Sequence, residues 1–133
     1  MVAEHEIRVR VRYADTDTMQ VVYYANYFVW FETGRIELLR SRGMVYRDFE
    51  KTGSYIPVVE AGAIYKAPAR FDDELMIRTR VARMGNSSMR FENEVYKLPE
   101  MELLCTGHTV HVLVGADGRS RPIPEEIRSK LSS

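Results

Sequence analysis

The sequence predicts an α+β fold in which a curved, mainly antiparallel five-stranded sheet wraps around one long central helix. Three observations lead to this prediction: a strictly alternating first segment, a helical period over about residues 26–42, and four later strand-like segments joined mainly by short turns. Short turns join antiparallel neighbours, so these segments form one sheet. Because only one long helix is available to cover that sheet, the sheet has to curve around it.

The first strand shows a period of two. Its apolar residues lie on one side and its arginines on the other: Ile7, Val9, Val11 and Tyr13 against Arg8, Arg10 and Arg12. Residues 15–18 follow and are rich in Asp and Thr, which hydrogen-bond their own backbone in turns. We therefore expect a strand with one wet face, followed by a polar turn.

The long helix is predicted from an apolar stripe at helical spacing, which comprises Tyr27, Phe28, Phe31, Leu38 and Leu39. Asn26 is a suitable N-cap, and Gly43 is a suitable end. Gly34 lies inside the predicted helix, where a glycine costs about 1 kcal/mol relative to alanine. We expect a close approach of the helix to the sheet to compensate for this cost.

The remaining segments are mostly strands separated by turn residues. Residues 55–66 are apolar enough to be partly buried on both faces, and Pro68 marks a break after them. Alternating strands are predicted over residues 74–83 and 89–96, a long strand over residues 103–114, and short helices over residues 44–51 and 125–131. Such a sheet leaves one face and its edges uncovered, so we expect the domain to dimerise.

Length and composition predict a single soluble domain over residues 1–133. The formal net charge is zero, which gives no indication of a nucleic-acid partner or of a polybasic membrane binder. The only cysteine, Cys105, has no partner for an internal disulfide, so a reducing, cytoplasmic location is expected. Residues 1–6 are polar and suggest no signal peptide, and no apolar window reaches the length of a membrane-spanning helix.

The polar turn before the long helix is the first candidate for a functional site. A carboxylate in front of a helix N-terminus can attack a carbonyl or activate water, while helix amides hold the developing oxyanion. Asp17 occupies this place, although aspartate is also a common turn former and the residues alone leave that alternative open. We expect Asp15, two residues earlier, to bond backbone amides within the turn.

The histidines and the cysteine give no second candidate site. His108 and His111 are three residues apart in a predicted strand, so their side chains face opposite sides and cannot bind one metal ion. Cys105 lies in the same strand and is expected to be a small buried apolar residue. We therefore expect neither a metal site nor a cofactor.

Several sequence motifs resemble those of a known family. Three lie close together: Tyr13-x-Asp15-Thr16-Asp17, Val21-Val22-Tyr23-Tyr24-x-Asn26-Tyr27 and Phe31-Glu32-x-Gly34-Arg35. Two later stretches fit the same pattern: Tyr65-x-Ala67-Pro68-Ala69-Arg70-x-Asp72-Asp73-Glu74-Leu75 and Arg121-Pro122-Ile123-Pro124. From about residue 7 to residue 131 the chain resembles the hotdog-fold acyl-CoA thioesterases, and among them the 4-hydroxybenzoyl-CoA thioesterase family with its Tol-Pal-associated branch.

This resemblance implies a hydrolase that converts an acyl-CoA thioester to a free acid and CoA without a cofactor. It implies that Asp17 is the nucleophile or general base and that the backbone N–H of Tyr24 stabilises the oxyanion. Acyl-CoA would lie in a groove between two subunits of a homodimer, and such dimers commonly pair into homotetramers. Asn86 and Ser87 are implied to donate hydrogen bonds to CoA, and Tyr23 is a candidate for contact with the acyl group.

Two departures from the family pattern keep alternatives open. Relatives usually have glycine where Gln20 stands, and the Tol-Pal-associated branch often has histidine where Tyr24 stands. The alternative function is a non-catalytic module that binds acyl-CoA or acyl carrier protein, and a structural subunit of a membrane-maintenance complex is a third. A hotdog dehydratase would need a catalytic histidine, which residues 7–42, from the first predicted strand to the end of the predicted helix, lack. The acyl group, the choice between CoA and acyl carrier protein, and the choice between covalent and direct water attack stay open.

Overall fold

The fold is described here from a computed structural model, which covers residues 3–132; residues 1, 2 and 133, which the single-domain prediction includes, lie outside the described residues. Five strands form the main sheet: β1 Glu4–Arg10, β3 Val58–Tyr65, β4 Glu74–Met84, β5 Ser88–Lys97 and β6 Glu102–Val112. The other elements are α1 Asn26–Ser41, α2 Tyr46–Glu50, β2 Ser54–Tyr55, β7 Val114–Gly115 and α3 Glu125–Leu131. The sheet order is β1-β4-β5-β6-β3 and every neighbouring pair is antiparallel, which confirms the predicted sheet.

The long helix α1 packs against the inner face of the sheet, mainly on β1 and β4. Four residues of the predicted apolar stripe are buried, namely Tyr27, Phe31, Leu38 and Leu39, whereas Phe28 is only partly buried; Trp30 and Gly34 are buried as well. The first half of the helix belongs to an apolar cluster with Leu75 and Ile77 of β4, and the second half to a cluster that Leu131 of α3 closes. One helix wrapped by one antiparallel sheet is the hotdog fold that the sequence motifs predict.

Gly34 lets the helix contact the centre of β4. A β-carbon at this position would overlap the hydroxyl oxygen of Thr79 and would lie 3.5 Å from Ile77 Cγ2. The same Thr79 hydroxyl donates a buried hydrogen bond of 2.9 Å to Asn93 Oδ1 on β5. The predicted close approach is confirmed, and it gives the physical reason for a glycine inside the helix.

The two ends of α1 differ in how well local sequence predicted them. Gly43 adopts a φ of 78°, and two hydrogen bonds, from Gly43 N–H to Arg40 O at 3.0 Å and from Met44 N–H to Leu39 O at 2.9 Å, end the helix. Asn26, predicted as the N-cap, is instead the first helical residue, and Ala25 is the cap. The Asn26 side chain donates to the carbonyl of Asp15 at 2.8 Å, so a contact with the preceding turn takes the place of the cap.

The prediction that Tyr13 continues the first strand is wrong. β1 ends at Arg10, and Tyr13 begins a single 3₁₀ turn in which its side chain is 78% exposed. The turn forms because Asp15 accepts hydrogen bonds from the backbone N–H and the guanidinium of Arg12, both at 2.8 Å. These bonds bend the chain before the alternation can place Tyr13 on the apolar face.

The segment over residues 55–66 is not buried on both faces, and that prediction is also wrong. Its main part, β3, is the outermost strand of the sheet and pairs only with β6 among the described residues. Val58, Val59 and Ile64 are 51%, 60% and 64% exposed. Apolar composition indicates a preference for burial, but residues 3–132 of a single chain contain no strand that pairs with the outer side of β3.

Candidate active site

Asp17 lies at the start of a tight hairpin between β1 and α1. Thr16 and Val22 form an antiparallel bridge, and the backbone N–H of Asp17 donates to Val21 O at 2.9 Å. The N–H of Gln20 donates back to Asp17 O at 2.9 Å, and Gln20 has a φ of 65°. The geometry is that of a three-residue hairpin loop whose last residue is left-handed, a place that favours glycine. This explains why the family pattern has glycine where Gln20 stands.

The Asp17 carboxylate is held at one oxygen only. Oδ1 accepts a hydrogen bond of 2.8 Å from the backbone N–H of Met19, and within residues 3–132 the carboxylate has no ion-pair partner. The neighbouring Tyr23 has a raised pKa, mainly because of its hydrogen bond to Tyr24 and to a smaller degree because of the Asp17 charge. Asp17 is therefore oriented by its own turn while its second oxygen stays available to a ligand.

Asp15 has the structural role that the sequence predicts. It is 5% exposed and accepts hydrogen bonds from the backbone and the side chain of Arg12. Burial alone would raise the pKa of Asp15, but the hydrogen bonds from Arg12 outweigh burial and lower that pKa overall. Its carbonyl oxygen accepts from Tyr23 N–H at 2.9 Å and from Asn26 Nδ2 at 2.8 Å. The residue thus fixes the turn and does not face a substrate.

Tyr24 lies one residue before the N-cap of α1. Two nearby backbone N–H groups are engaged: the preceding one, Tyr23 N–H, with Asp15 O, and that of Asn26, two residues later, with Tyr23 O, both at 2.9 Å. Within the described part of the chain the N–H of Tyr24 has no acceptor. A backbone donor in front of a helix N-terminus, with no partner of its own, is chemically suited to an incoming oxyanion.

A cavity of about 680 Å³ opens beside the hairpin. It is lined by Tyr13, Thr16, Asp17, Thr18, Gln20, Arg70 and Phe71. The rings of Tyr13 and Phe71 meet edge to face with centroids 5.7 Å apart, and the guanidinium of Arg70 has no carboxylate partner among residues 3–132. The cavity therefore combines a carboxylate, a cation and an aromatic wall.

Sequence reasoning did not find Arg70 and Phe71 as site residues. The loop that carries them reaches the hairpin through an antiparallel bridge between Val21 and Arg70 and a 2.9 Å hydrogen bond from Val22 N–H to Ala69 O. A local sequence pattern cannot predict contacts between residues that are about fifty positions apart in the chain. The family motif around Arg70 was the one signal available, and it carried no role for this residue.

Asn86 and Ser87, the other predicted substrate residues, do not join Asp17 within one chain. They form the β4–β5 turn, where Asn86 O accepts from Ile123 N–H at 2.8 Å and Ser87 O accepts from Leu113 N–H at 2.7 Å. The loop next to the Asp17 cavity leads into the other end of β4. Eleven residues of strand at about 3.3 Å each place the two ends roughly 33 Å apart.

A second concavity, of about 500 Å³, lies on the outer face of the sheet. Its charges neutralise one another: Arg80 and Arg90 both pair with Glu92, and His108 meets Glu60 at 2.7 Å. A surface whose cations are already paired offers little to an anionic ligand. The Asp17 cavity is therefore the better candidate active site.

The histidines and the cysteine lie where the strand period predicts. His111 is buried, with Nδ1 2.8 Å from Ile56 O and Nε2 2.9 Å from Thr109 Oγ1, whereas His108 is on the opposite face. Burial lowers the pKa of His111 to about 4 and raises the pKa of Cys105 to about 12. Residues 3–132 contain no cluster of His, Cys, Asp or Glu suited to a metal ion, and none of their helices is long and apolar enough to cross a membrane.

Comparisons with known proteins agree with this geometry. A family model described as the Thioesterase-like superfamily matches residues 11–131. The chain is 33% identical over 124 residues to acyl-CoA thioesterase YbgC of Haemophilus influenzae, covering 91% of this chain and 89% of that protein. It is 36% identical over 104 residues to acyl-CoA thioester hydrolase YbgC of Escherichia coli O157:H7, covering 73% and 78%.

A solved structure shows the same fold. A hypothetical protein, TT1821, of Thermus thermophilus superposes with a TM-score of 0.89 at 36% identity, over 95% of each chain. The resemblance seen in the motifs is thus confirmed over nearly the whole chain, and with it the hydrolase class. The chain belongs to the Thioesterase-like superfamily.

Proposed function

We propose that the protein hydrolyses acyl-CoA thioesters to a free acid and CoA, and that Asp17 is its nucleophile or general base. The observation that carries the proposal is the state of the Asp17 carboxylate. One oxygen is oriented by Met19 N–H, the residue lines a cavity of about 680 Å³, and no cation in the described residues pairs with the carboxylate. A structural turn former needs no such cavity beside it.

The chemistry needs few groups because a thiolate leaves readily. In one route Asp17 attacks the carbonyl carbon, the C–S bond breaks to release CoA thiolate, and water then hydrolyses the mixed anhydride. In the other route Asp17 takes a proton from water, and the resulting hydroxide attacks the carbonyl before the thiolate leaves. Both routes place negative charge on the carbonyl oxygen, and the unpaired N–H of Tyr24 supports its stabilisation there.

The proposal includes a homodimer with active sites at its interface. The outer edge of β3 is eight residues long and carries the exposed apolar residues Val58, Val59 and Ile64. An exposed apolar edge of this length favours pairing with another strand. A two-fold axis at this edge would reverse the second sheet, so that its Asn86–Ser87 turn lies at the same end as the first copy's Asp17.

Sedimentation equilibrium tests this assembly. We expect twice the chain mass of 15.4 kDa, or four times if two dimers pair into a homotetramer. Replacing Val59 by lysine should yield the single-chain mass because it puts a charge on the paired edge. The matched control is Val29→Lys, an exposed valine on α1. A wild-type protein that sediments as a single chain at micromolar concentration would rule the interface out.

Thiol release from a panel of short, long and aromatic acyl-CoAs tests the activity and Asp17 together. We expect turnover by the wild type and a loss of about 10²-fold or more in kcat for Asp17→Asn, the size typical of a lost catalytic group. Asp72→Asn is the matched control, because Asp72 is an exposed loop aspartate outside the cavity lining. Turnover that survives in Asp17→Asn would keep the function and discard the mechanism.

The same panel separates the remaining alternatives. CoA binding without turnover would favour the non-catalytic binding module, and turnover only on acyl carrier protein would change the carrier. A rapid-quench single turnover with a labelled acyl group distinguishes the two chemical routes, since only the covalent route attaches the acyl group to Asp17 before the free acid appears. The cytoplasmic location is part of the proposal and rests on Cys105, a buried thiol that pairs with no other cysteine.

A further inference from the structure

We propose that Tyr65 is a positioning residue that fixes the direction of the Tyr24 backbone N–H. Tyr65 is the last residue of the edge strand β3, and its hydroxyl donates a hydrogen bond of 2.8 Å to the carbonyl oxygen of Tyr24. The two residues are 41 positions apart in sequence. This inference rests on the proposed function, in which that N–H faces the oxyanion.

Residue 24 needs an external support. It lies between the Val22 bridge and the start of α1, outside regular secondary structure, and its own side chain is 60% exposed. The carbonyl that Tyr65 holds and the N–H proposed as oxyanion donor flank the same α-carbon. The two groups belong to adjacent planar peptide units, and Asn26 N–H already holds the unit that carries the Tyr24 N–H through the Tyr23 carbonyl at 2.9 Å. The Tyr65 hydrogen bond holds the other unit and so limits the φ and ψ of residue 24, the two rotations between them.

The Tyr65 ring and the Tyr65 hydroxyl have separate contacts. The ring packs edge-on against Tyr27, a 2% exposed core residue, with centroids 5.2 Å apart, and against Tyr24 at 6.4 Å. The hydroxyl contacts the Tyr24 carbonyl. Partial burial raises the pKa of Tyr65, so the hydroxyl keeps its proton and remains a donor at neutral pH. A change confined to the hydroxyl therefore leaves the packing in place.

Tyr65→Phe is the first test, with kcat and KM measured separately on the best acyl-CoA of the panel. Removing an oxyanion donor typically costs 10²–10³-fold in kcat, so losing only its alignment should lower kcat by about tenfold and leave KM within about twofold. The matched control is Tyr46→Phe, which removes a hydroxyl that meets the Ile56 backbone far from the cavity. The control should keep the wild-type kcat.

A second variant keeps both the ring and the hydroxyl. Fluorinated tyrosine at position 65 has a more acidic phenol, which loses its proton near neutral pH and then cannot donate. We expect kcat of this variant to fall as pH rises through that ionisation, while the wild type shows no such fall. The variant should fold like the wild type, so the test stands even if Tyr65→Phe does not fold.

The outcomes are distinct. A wild type that hydrolyses no acyl thioester would overturn both the proposed function and this inference. An active wild type with unchanged kcat in folded Tyr65→Phe, or with a changed KM alone, would overturn only the positioning role. A fluorinated variant whose pH profile matches the wild type would do the same.

Discussion

Replacing Gly34 by alanine tests how α1 packs on the sheet. In an exposed helix the change would stabilise the protein by about 1 kcal/mol, since alanine has the higher helix propensity. Here the new β-carbon overlaps the Thr79 hydroxyl, which also donates to Asn93 Oδ1. Overpacking costs about 1–3 kcal/mol and a broken buried hydrogen bond another 1–3 kcal/mol. We expect a net loss of about 3 kcal/mol in the free energy of unfolding.

A double-mutant cycle isolates the cause. Thr79→Ala removes the hydroxyl, and the residue 79 β-carbon then lies 3.6 Å from the new methyl group, an ordinary contact. In that background Gly34→Ala should stabilise the protein by about 1 kcal/mol, so the coupling between the two positions is about 4 kcal/mol. Urea unfolding followed by circular dichroism measures all four variants. Stabilisation by Gly34→Ala in the wild-type background would refute the close approach.

Two further predictions concern pH and backbone conformation. Burial lowers the pKa of His111 to about 4. As pH falls below about 6.5, this histidine therefore takes up a proton in the unfolded chain before it does so in the folded one. The free energy of unfolding has its full value above about pH 6.5 and falls by up to about 3 kcal/mol as pH approaches 4. The free energy of unfolding, measured as a function of pH, should not show this fall in His111→Gln and should still show it in His108→Gln. An equal fall in both variants would refute the assignment to His111. Gln20→Gly should stabilise the protein by about 0.5–1 kcal/mol because Gln20 has a φ of 65°. Thr18→Gly in the same loop is the control for that change, and equal destabilisation by both would contradict the strain argument.

Local patterns predicted most of the elements correctly. The apolar positions of β1 are its less exposed ones, most of the predicted α1 stripe is buried, and Gly43 ends the helix as predicted, in a left-handed conformation. The structural role of Asp15 was also predictable, because its hydrogen-bond partner Arg12 is only three residues away in the same turn. These features depend on neighbours within a few residues, and the sequence shows such neighbours directly.

Other features depend on specific hydrogen bonds that override a local pattern. Asn26 has an ideal N-cap side chain, yet the Asp15 carbonyl, eleven residues earlier, takes its hydrogen bond. Tyr13 fits the strand alternation, yet the Arg12–Asp15 contacts turn the chain before it. In each case a specific hydrogen bond that forms in the folded chain overrides a statistical preference.

The sequence by itself determined that one long helix and an antiparallel sheet form here, and that Asp17 stands in the turn between strand and helix. Periodicity and turn chemistry depend on neighbouring residues only, so they can be recognised in the sequence before the fold is known. Only the tertiary structure decided that β3 is an exposed edge, that Arg70 and Phe71 complete the Asp17 cavity, and that Tyr65 reaches the Tyr24 carbonyl. These depend on which strands become neighbours, and an apolar run is compatible with a central or an edge position until the whole sheet has formed.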